Sequence, residues 1–440
     1  MTSVMDQPVG ILTHEPPPAP EWVQAFRAQS RQALTGLPTL RDEAWRYTNL
    51  APITGTNFVL ESTSQREMTR ADVARLRVPE LDAAVLVFVD GRFRPELSDK
   101  AADLGAGVTC ATLGEAFERH ADLVRPHLGA ASSEHDDPFT RLNDAMLSAG
   151  VFVHVADGIR PSRPIEILSI ATRTVEPVAA HPRNLIVVGK GGRVTVLEHY
   201  IALDEGGVYL NNAVTELIAG DGAFVEHYLL ERESERAFNV STLAIRQGAQ
   251  GVVHSHTVLL GGAIVRNNVV PVLAGEGAHC LINGLYVGHG DQHLDNAMRV
   301  RHAAARCESR QYYKGIMNGR SRGVFTGRIV VDKGAQKTDA IQTNRNMLLS
   351  DDARVNARPQ LEIYADDVRC THGATTGRVD DEAVFYFRSR GLSEPVARAM
   401  LVYAFAAEGF DRMELVPVRR LLAREMIDKL PMARGLSIEV

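Results

Sequence analysis

No stretch of the 440 residues carries about 18 consecutive apolar side chains, so no transmembrane helix is expected. Basic residues are not in excess either: 48 Lys and Arg stand against 54 Asp and Glu, a formal net charge of −6. That balance excludes a general nucleic-acid or anionic-membrane surface, leaving room only for a local basic patch. The four cysteines, Cys110, Cys280, Cys307 and Cys370, are too far apart for a zinc-ribbon or thioredoxin-like pair, and nothing marks a disulfide-stapled domain. A reducing compartment follows. The first residues, MTSVMDQPVGILTHEPPPAPEW, lack a basic stretch ahead of an apolar core, which argues against a secretory signal and for a cytoplasmic protein. No Walker motif and no Rossmann fingerprint occurs, so any nucleotide-driven step belongs to a separate ATPase.

What is present is a globular composition, 45% hydrophobic and 23% charged, in a chain long enough for two or three units. The 36 glycines are scattered without a triplet period, which favours a turn-rich β protein. Residues 1–150 read as a mainly helical N-terminal region with some strand. After a proline-rich leader at Pro16, Pro17, Pro18 and Pro20, residues 21–33 predict a helix with Trp22, Phe26 and Ala33 as packing positions. The stretch LRDEAWRYTNL, residues 40–50, reads as a docking segment, and residues 112–121 as helical. From about residue 151 to 385 the texture changes to short β-branched or aromatic runs broken by glycine and acidic turns. Glycine–alanine pairs at Gly222-Ala223, Gly248-Ala249, Gly277-Ala278 and Gly334-Ala335 suggest a coiled repeat whose stacked rungs share one core, with a Greek-key sandwich as the rival. The alternating residues 384–387 read as the last β element. Residues 386–440 then read as a helical region. Its first helix starts near Ser393 with an apolar face through Val396, Ala399, Met400, Tyr403 and Ala407, and its second spans 418–430, closed by Pro431 and Gly435. Two such helices would cap the solenoid and offer a partner a surface.

Several polar clusters carry chemistry on paper. In a strand, His289, Asp291 and His293 would share a face and converge on a metal, against the plainer reading of a polar turn. His254 and His256 also share a face and read as structural. Cys370 and His372, two apart in CTHGATTG, would suit a soft or borderline metal, or a thiol with an adjacent base, against a core cysteine beside a turn histidine. Arg320, Arg322 and Arg328 would suit phosphate but read as exposed turn residues. Glu362, Asp366 and Asp367 would suit a hard cation but read as a soluble turn. A β-helix also suggests a second class of function, acidic-polysaccharide cleavage in a groove near Asp366, Asp367 and Arg369. The 6% aromatic content, thin for sugar stacking, speaks against it.

The most specific signal lies between residues 309 and 409. SRQYYKGIMNGRSRGVFTGRIVV, PQLEIYADDV, CTHGATTG and FYFRSRG closely resemble the SufB/SufD family of iron–sulfur cluster assembly proteins, on its SufD side, and DEAWRYTNL resembles that family's N-terminal region. The resemblance implies a right-handed parallel β-helix core between N-terminal and C-terminal helical regions. It implies a non-catalytic scaffold subunit of a cytosolic complex, pairing with a SufB paralogue, binding the SufC ATPase through the C-terminal helices, and forming a homodimer when isolated. The nascent iron–sulfur cluster, with reduced flavin as electron source, would belong to the assembled complex and not to the isolated chain. Residue by residue, His372 falls on the family's interface histidine and is expected to ligate iron or the nascent cluster, with Cys370 beside it. SufB carries a cysteine in the preceding strand. Here that stretch is Thr343-Asn344-Arg345-Asn346-Met347, without one, which favours SufD over SufB.

Overall fold

The computed structural model describes residues 14–61, 66–204 and 206–429. The start of the leader and the expected closure of the last helix at Leu430, Pro431 and Gly435 lie outside the described residues. The chain opens with α1 (Glu21–Ala33), α2 (Ala51–Thr54), α3 (Arg70–Leu76), β1 (Ala84–Val89), β2 (Arg92–Phe93) and β3 (Val108–Thr112). Helices α4 (Leu113–Arg119), α5 (Ala121–Val124) and α6 (Pro138–Met146) precede β4 (Val151–Val155), β5 (Ile165–Ala171), β6 (Val178–Ala180) and β7 (Arg183–Val188). Regular coiling then runs through β8 (Arg193–Ala202), β9 (Tyr209–Ala219), β10 (Phe224–Arg232), β11 (Phe238–Gln247), β12 (Val252–Leu259) and β13 (Ile264–Leu273). It continues through β14 (His279–Gly288), β15 (His293–His302), β16 (Glu308–Met317), β17 (Arg322–Val331), β18 (Asp339–Leu348), β19 (Arg354–Ile363) and β20 (Arg369–Gly377). Helices α7 (Asp381–Arg388), α8 (Glu394–Ala407) and α9 (Val416–Lys429) follow.

From β8 onward the chain alternates between two parallel sheets. Sheet one runs β2-β1-β5-β8-β10-β12-β14-β16-β18-β20, and sheet two runs β19-β17-β15-β13-β11-β9-β7-β4-β3, with β6 beside β9. From β8 onward each rung returns to the same place after 26 residues at the shortest, Phe238 to Ile264, and 32 at the longest, Arg322 to Arg354. This is a β-solenoid, and its two-residue side-chain alternation sends one set of side chains into a shared lumen. In sheet one that set includes Val194, Val225, Val253 and Cys280, register neighbours packed in one continuous core.

The turn into sheet one explains the repeat. Gly191, Gly222, Gln250, Gly277, Arg306 and Lys337 occupy equivalent corners with φ between +55° and +71°. Each is followed by a small buried residue: Gly192, Ala223, Gly251, Ala278, Cys307 or Thr338. One left-handed residue turns the corner and the next must fit inside it. Gly222-Ala223 and Gly277-Ala278 hold this position. Gly248-Ala249 and Gly334-Ala335 precede it, by two and three residues, so the pair itself is not the repeating unit.

The flanking helices cover the outer faces of the sheets. N-terminal residues Trp45, Leu50, Ile53, Phe58, Phe139 and Met146 pack on Leu210, Phe238, Val240 and Ile264 of sheet two. The 40–50 segment docks within the molecule: Trp45 stacks on Phe139 at 5.2 Å between ring centres, donates from Nε1 to Asp137 at 3.2 Å, and lies under the Arg266 guanidinium at 4.0 Å. On the other side, Val402, Phe410, Val418, Leu422 and Met426 pack on Leu197, Tyr228, Leu230, Val258, Leu285 and Ile316 of sheet one. The C-terminal helices therefore fold back along the solenoid flank. They do not cap its end, as their position after the last strand suggested, because their apolar faces match the outward apolar side chains of the middle rungs. Residues 384–387 are helical, not strand: Asp380 caps α7 by accepting from the backbone N–H groups of Glu382 at 2.9 Å and Ala383 at 3.5 Å. Among the described residues no helix is long and apolar enough to cross a membrane.

Candidate functional site

The solenoid ends on a bare edge. Strand β20 pairs with β18 and β19 with β17, and neither has a partner on its other side among the described residues. All of β20 except its half-buried Cys370 is exposed. The Arg369 N–H donates to the Thr338 carbonyl, so in this parallel ladder the odd-numbered residues of β20 turn their amides toward β18. The amides of Cys370, His372, Ala374 and Thr376 face the open edge. In β19 the matching ladder, with Arg354 N–H on the Ser321 carbonyl, places Pro359 at an open-edge position. Proline offers no donor there and blunts that edge. Strand β20 has no such block.

Cys370 and His372 extend two lumen columns. Cys370 continues Val225, Val253, Cys280, Ser309 and Ala340, and packs with Ile329, Ala340, Leu361 and Val368. Burial raises its thiol pKa, with the Asp339 charge adding to the effect. His372 continues His227, Ser255, Ile282, Gln311 and Gln342. Gln342 Nε2 donates to Gln311 Oε1 at 2.7 Å, while Gln342 Oε1 is buried without a hydrogen-bond partner. His372 itself is exposed and makes no hydrogen bond among the described residues. The end of the solenoid thus presents an unengaged imidazole and a half-buried thiol on one side of one strand. Both are ligand types for a soft or borderline metal. The other three cysteines are buried, with Cys110 and Cys280 pushed up to about 12 by desolvation, so they are thiols locked in the core.

The remaining clusters resolve into pairs. His289 and Asp291 sit in the turn between β14 and β15, where Gly290 takes φ +56°, so strand alternation does not apply and only His293 lies in a strand. His289 Nε2 meets Glu235 at 2.6 Å, Asp291 takes Arg320 at 2.6 and 2.7 Å, and His293 Nε2 meets the Thr48 hydroxyl at 2.9 Å. The three do not converge. Arg328 is held by Gln360 and Glu362, Asp366 accepts from Gln336 at 2.8 Å, and Asp367 pairs with Lys337, so these are turn and rung contacts rather than a phosphate site, a cation site or an acidic groove. Exposed Arg322 opens β17 and exposed Arg369 opens β20. His254 and His256 share the outer face of sheet one. His256 is buried there, stacked on Tyr228 at 5.0 Å between centres. Their neighbours Glu226 and Glu414 escaped notice because one lies a full rung away and the other far along the chain. The signal that finds Glu226 is the rung register, which sets it beside His254.

Comparison with known proteins extends over nearly the whole chain. A family model described as the SufBD core domain of SUF system FeS cluster assembly matches residues 170–405, and one described as the SufBD protein N-terminal region matches residues 18–167. The chain is 34% identical over 376 residues to the iron–sulfur cluster assembly protein SufD of Escherichia coli (strain K12), covering 85% of each chain. It is 32% identical over 394 residues to an iron–sulfur cluster assembly SufBD family protein of Synechocystis, covering 87% of this chain and 85% of that protein. Over 421 residues it is 26% identical to the SufD protein of Bacillus subtilis (strain 168), covering 92% and 93%.

Proposed function

The chain belongs to the SufBD family of the SUF iron–sulfur cluster assembly system, and from that premise we propose that it is a non-catalytic, SufD-type scaffold subunit of a cytoplasmic complex. It pairs with a SufB paralogue through the open end of the solenoid and binds the SufC ATPase through residues 386–440. Residues 151–385 supply the rigid core, and residues 1–150 buttress it. His372 ligates iron or the nascent cluster at the shared interface, with Cys370 assisting. The cluster is cargo of the assembled complex, and reduced flavin, where it takes part, also belongs to that complex.

The observation that carries this reading is the bare edge of β20, with His372 on it and no proline to blunt it. An exposed parallel edge is a template for a strand from another chain, and a related solenoid offers a strand of matching direction and rise. Exposed Phe385 and Tyr386 on α7, 72% and 53% accessible, give the C-terminal region apolar anchors suited to a protein partner. A neutral imidazole is a competent iron ligand and sits where the second subunit would supply the remaining ligands.

Replacing His372→Ala in the co-expressed three-component complex tests the ligand role. Assembly should persist while iron and acid-labile sulfide per complex fall several-fold. An unchanged cluster yield in an intact complex would remove His372 from the chemistry.

A further inference from the structure

A second set of metal-ligating side chains lies on the flank of the solenoid, well away in sequence from the β20 edge. Glu226 of β10 and His254 of β12 are register partners on the outer face of sheet one, one strand spacing apart. Glu414, in the connection between α8 and α9, lies over them: its N–H donates to the Tyr228 hydroxyl at 3.1 Å and reaches Glu226 Oε1 at 3.4 Å. One ligand atom from each of Glu226, His254 and Glu414 lies within 4.8 Å of the others.

Glu226 makes this more than an acidic cluster. It is only 2% exposed, and its Oε1 takes the Tyr228 hydroxyl at 2.5 Å, yet Oε2 is buried with no hydrogen-bond partner. His256, fully buried, places Nε2 at 3.5 Å from Glu226 Oε1, and that nitrogen also lacks a hydrogen-bond partner. Unsatisfied buried carboxylate oxygens are costly and call for a cation or a donor. The local charge points the same way: the neighbouring Glu226 carboxylate, with some burial, pushes the Glu414 carboxyl up. Burial lowers the His254 pKa and so favours the neutral ring that a metal requires.

We propose that Glu226, His254 and Glu414 form a binding site for a first-row divalent transition-metal ion, with the ion clamping the α8–α9 connection onto sheet one. Two carboxylates and one imidazole are a borderline donor set of the kind that takes zinc, ferrous iron, manganese or cobalt. Ligands roughly 2.0–2.2 Å from one ion can lie no more than about 4.4 Å apart, and exposed Glu414 has the freedom to move into place. The Tyr228 hydroxyl holds Glu226 through Oε1, the kind of orienting contact that a metal ligand needs.

Cobalt titration of the untagged, full-length chain provides the test, read by visible absorption and by the thermal midpoint. The proposal predicts about one equivalent bound through this site, a raised midpoint, no competition from magnesium, and at least about tenfold weaker binding in His254→Ala and in Glu414→Gln. Glu414 is exposed, so the second substitution leaves the fold intact. A double Cys370→Ser, His372→Ala variant should bind as the parent does. No cobalt binding by the parent, unchanged affinity in both flank variants, or a loss confined to the double variant would each overturn the proposal.

Discussion

Inside the lumen, buried polar side chains draw hydrogen bonds from neighbouring rungs, though not every polar atom is satisfied. Glu198 illustrates this, accepting from Asn184 at 2.9 Å and meeting His227 Nε2 at 2.9 Å, while His227 Nδ1 meets the Ser255 hydroxyl at 3.1 Å. His302 is less well served: Nε2 meets the Ser309 hydroxyl at 2.9 Å, and Nδ1 is buried without a partner. Burial, with the Arg310 charge adding to it, lowers the His302 pKa to about 4. Its folded pKa lies below the unfolded value near 6.5, so below that pH the unfolded chain binds the extra proton and stability falls with pH. The loss develops between about pH 6.5 and 4 and amounts to something on the order of 3 kcal/mol for this one group. A His302→Gln variant, compared with the parent by denaturant unfolding across that range, should show a shallower decline. Parallel declines would mean that His302 does not contribute. Residue chemistry of this kind was hidden in the sequence, because neighbours in a solenoid are a rung apart. The types at His372 and Cys370 were legible, whereas the pairing of His289, Asp291 and His293 with three separate partners was not.

At the scale of elements, β20 is the strand on which the account depends. Its Ala374 amide points to the open edge, so proline at 374 removes an edge donor without breaking the ladder to β18. Ala374→Pro should leave the circular dichroism of the isolated chain intact and its thermal midpoint within a few degrees. It should weaken association with a SufB paralogue at least tenfold, measured by interferometry; undiminished affinity would show that the edge is not the contact. Strong local signals were read correctly: α1 covers residues 21–33 as its pattern predicted, and α8 begins after Ser393. The misreading of residues 384–387 also has a local cause. Val-Phe-Tyr-Phe is a strand-like run, but only Val384 is buried, and the preceding Asp380, Asp381 and Glu382 start a helix. The direction taken by α8 and α9 was not local at all. It depends on outward apolar residues such as Leu197, Tyr228 and Leu285, which sequence alternation alone assigns to no particular partner.

For the molecule as a whole, both flanks of the solenoid carry its own helices, and among the described residues the β19–β20 end is a sheet edge with no further strand beside it. The coil itself was legible as glycine-rich turns between β-branched runs, although the repeating feature is a left-handed corner residue followed by a small one. Gln250, Arg306 and Lys337 also fill that corner, which blurs the pattern in the sequence. A solenoid with helices along its flanks and a bare strand edge at its C-terminal end is suited to hold a partner and a nascent cluster between them. The most direct measurement is to purify this chain alone and together with a SufB paralogue and SufC, then assay iron, acid-labile sulfide and ATP hydrolysis in each. The account predicts a stable three-component complex that accumulates cluster and hydrolyses ATP, and an isolated chain that does neither. Failure to associate, or cluster assembly and ATP turnover by the isolated chain, would contradict it.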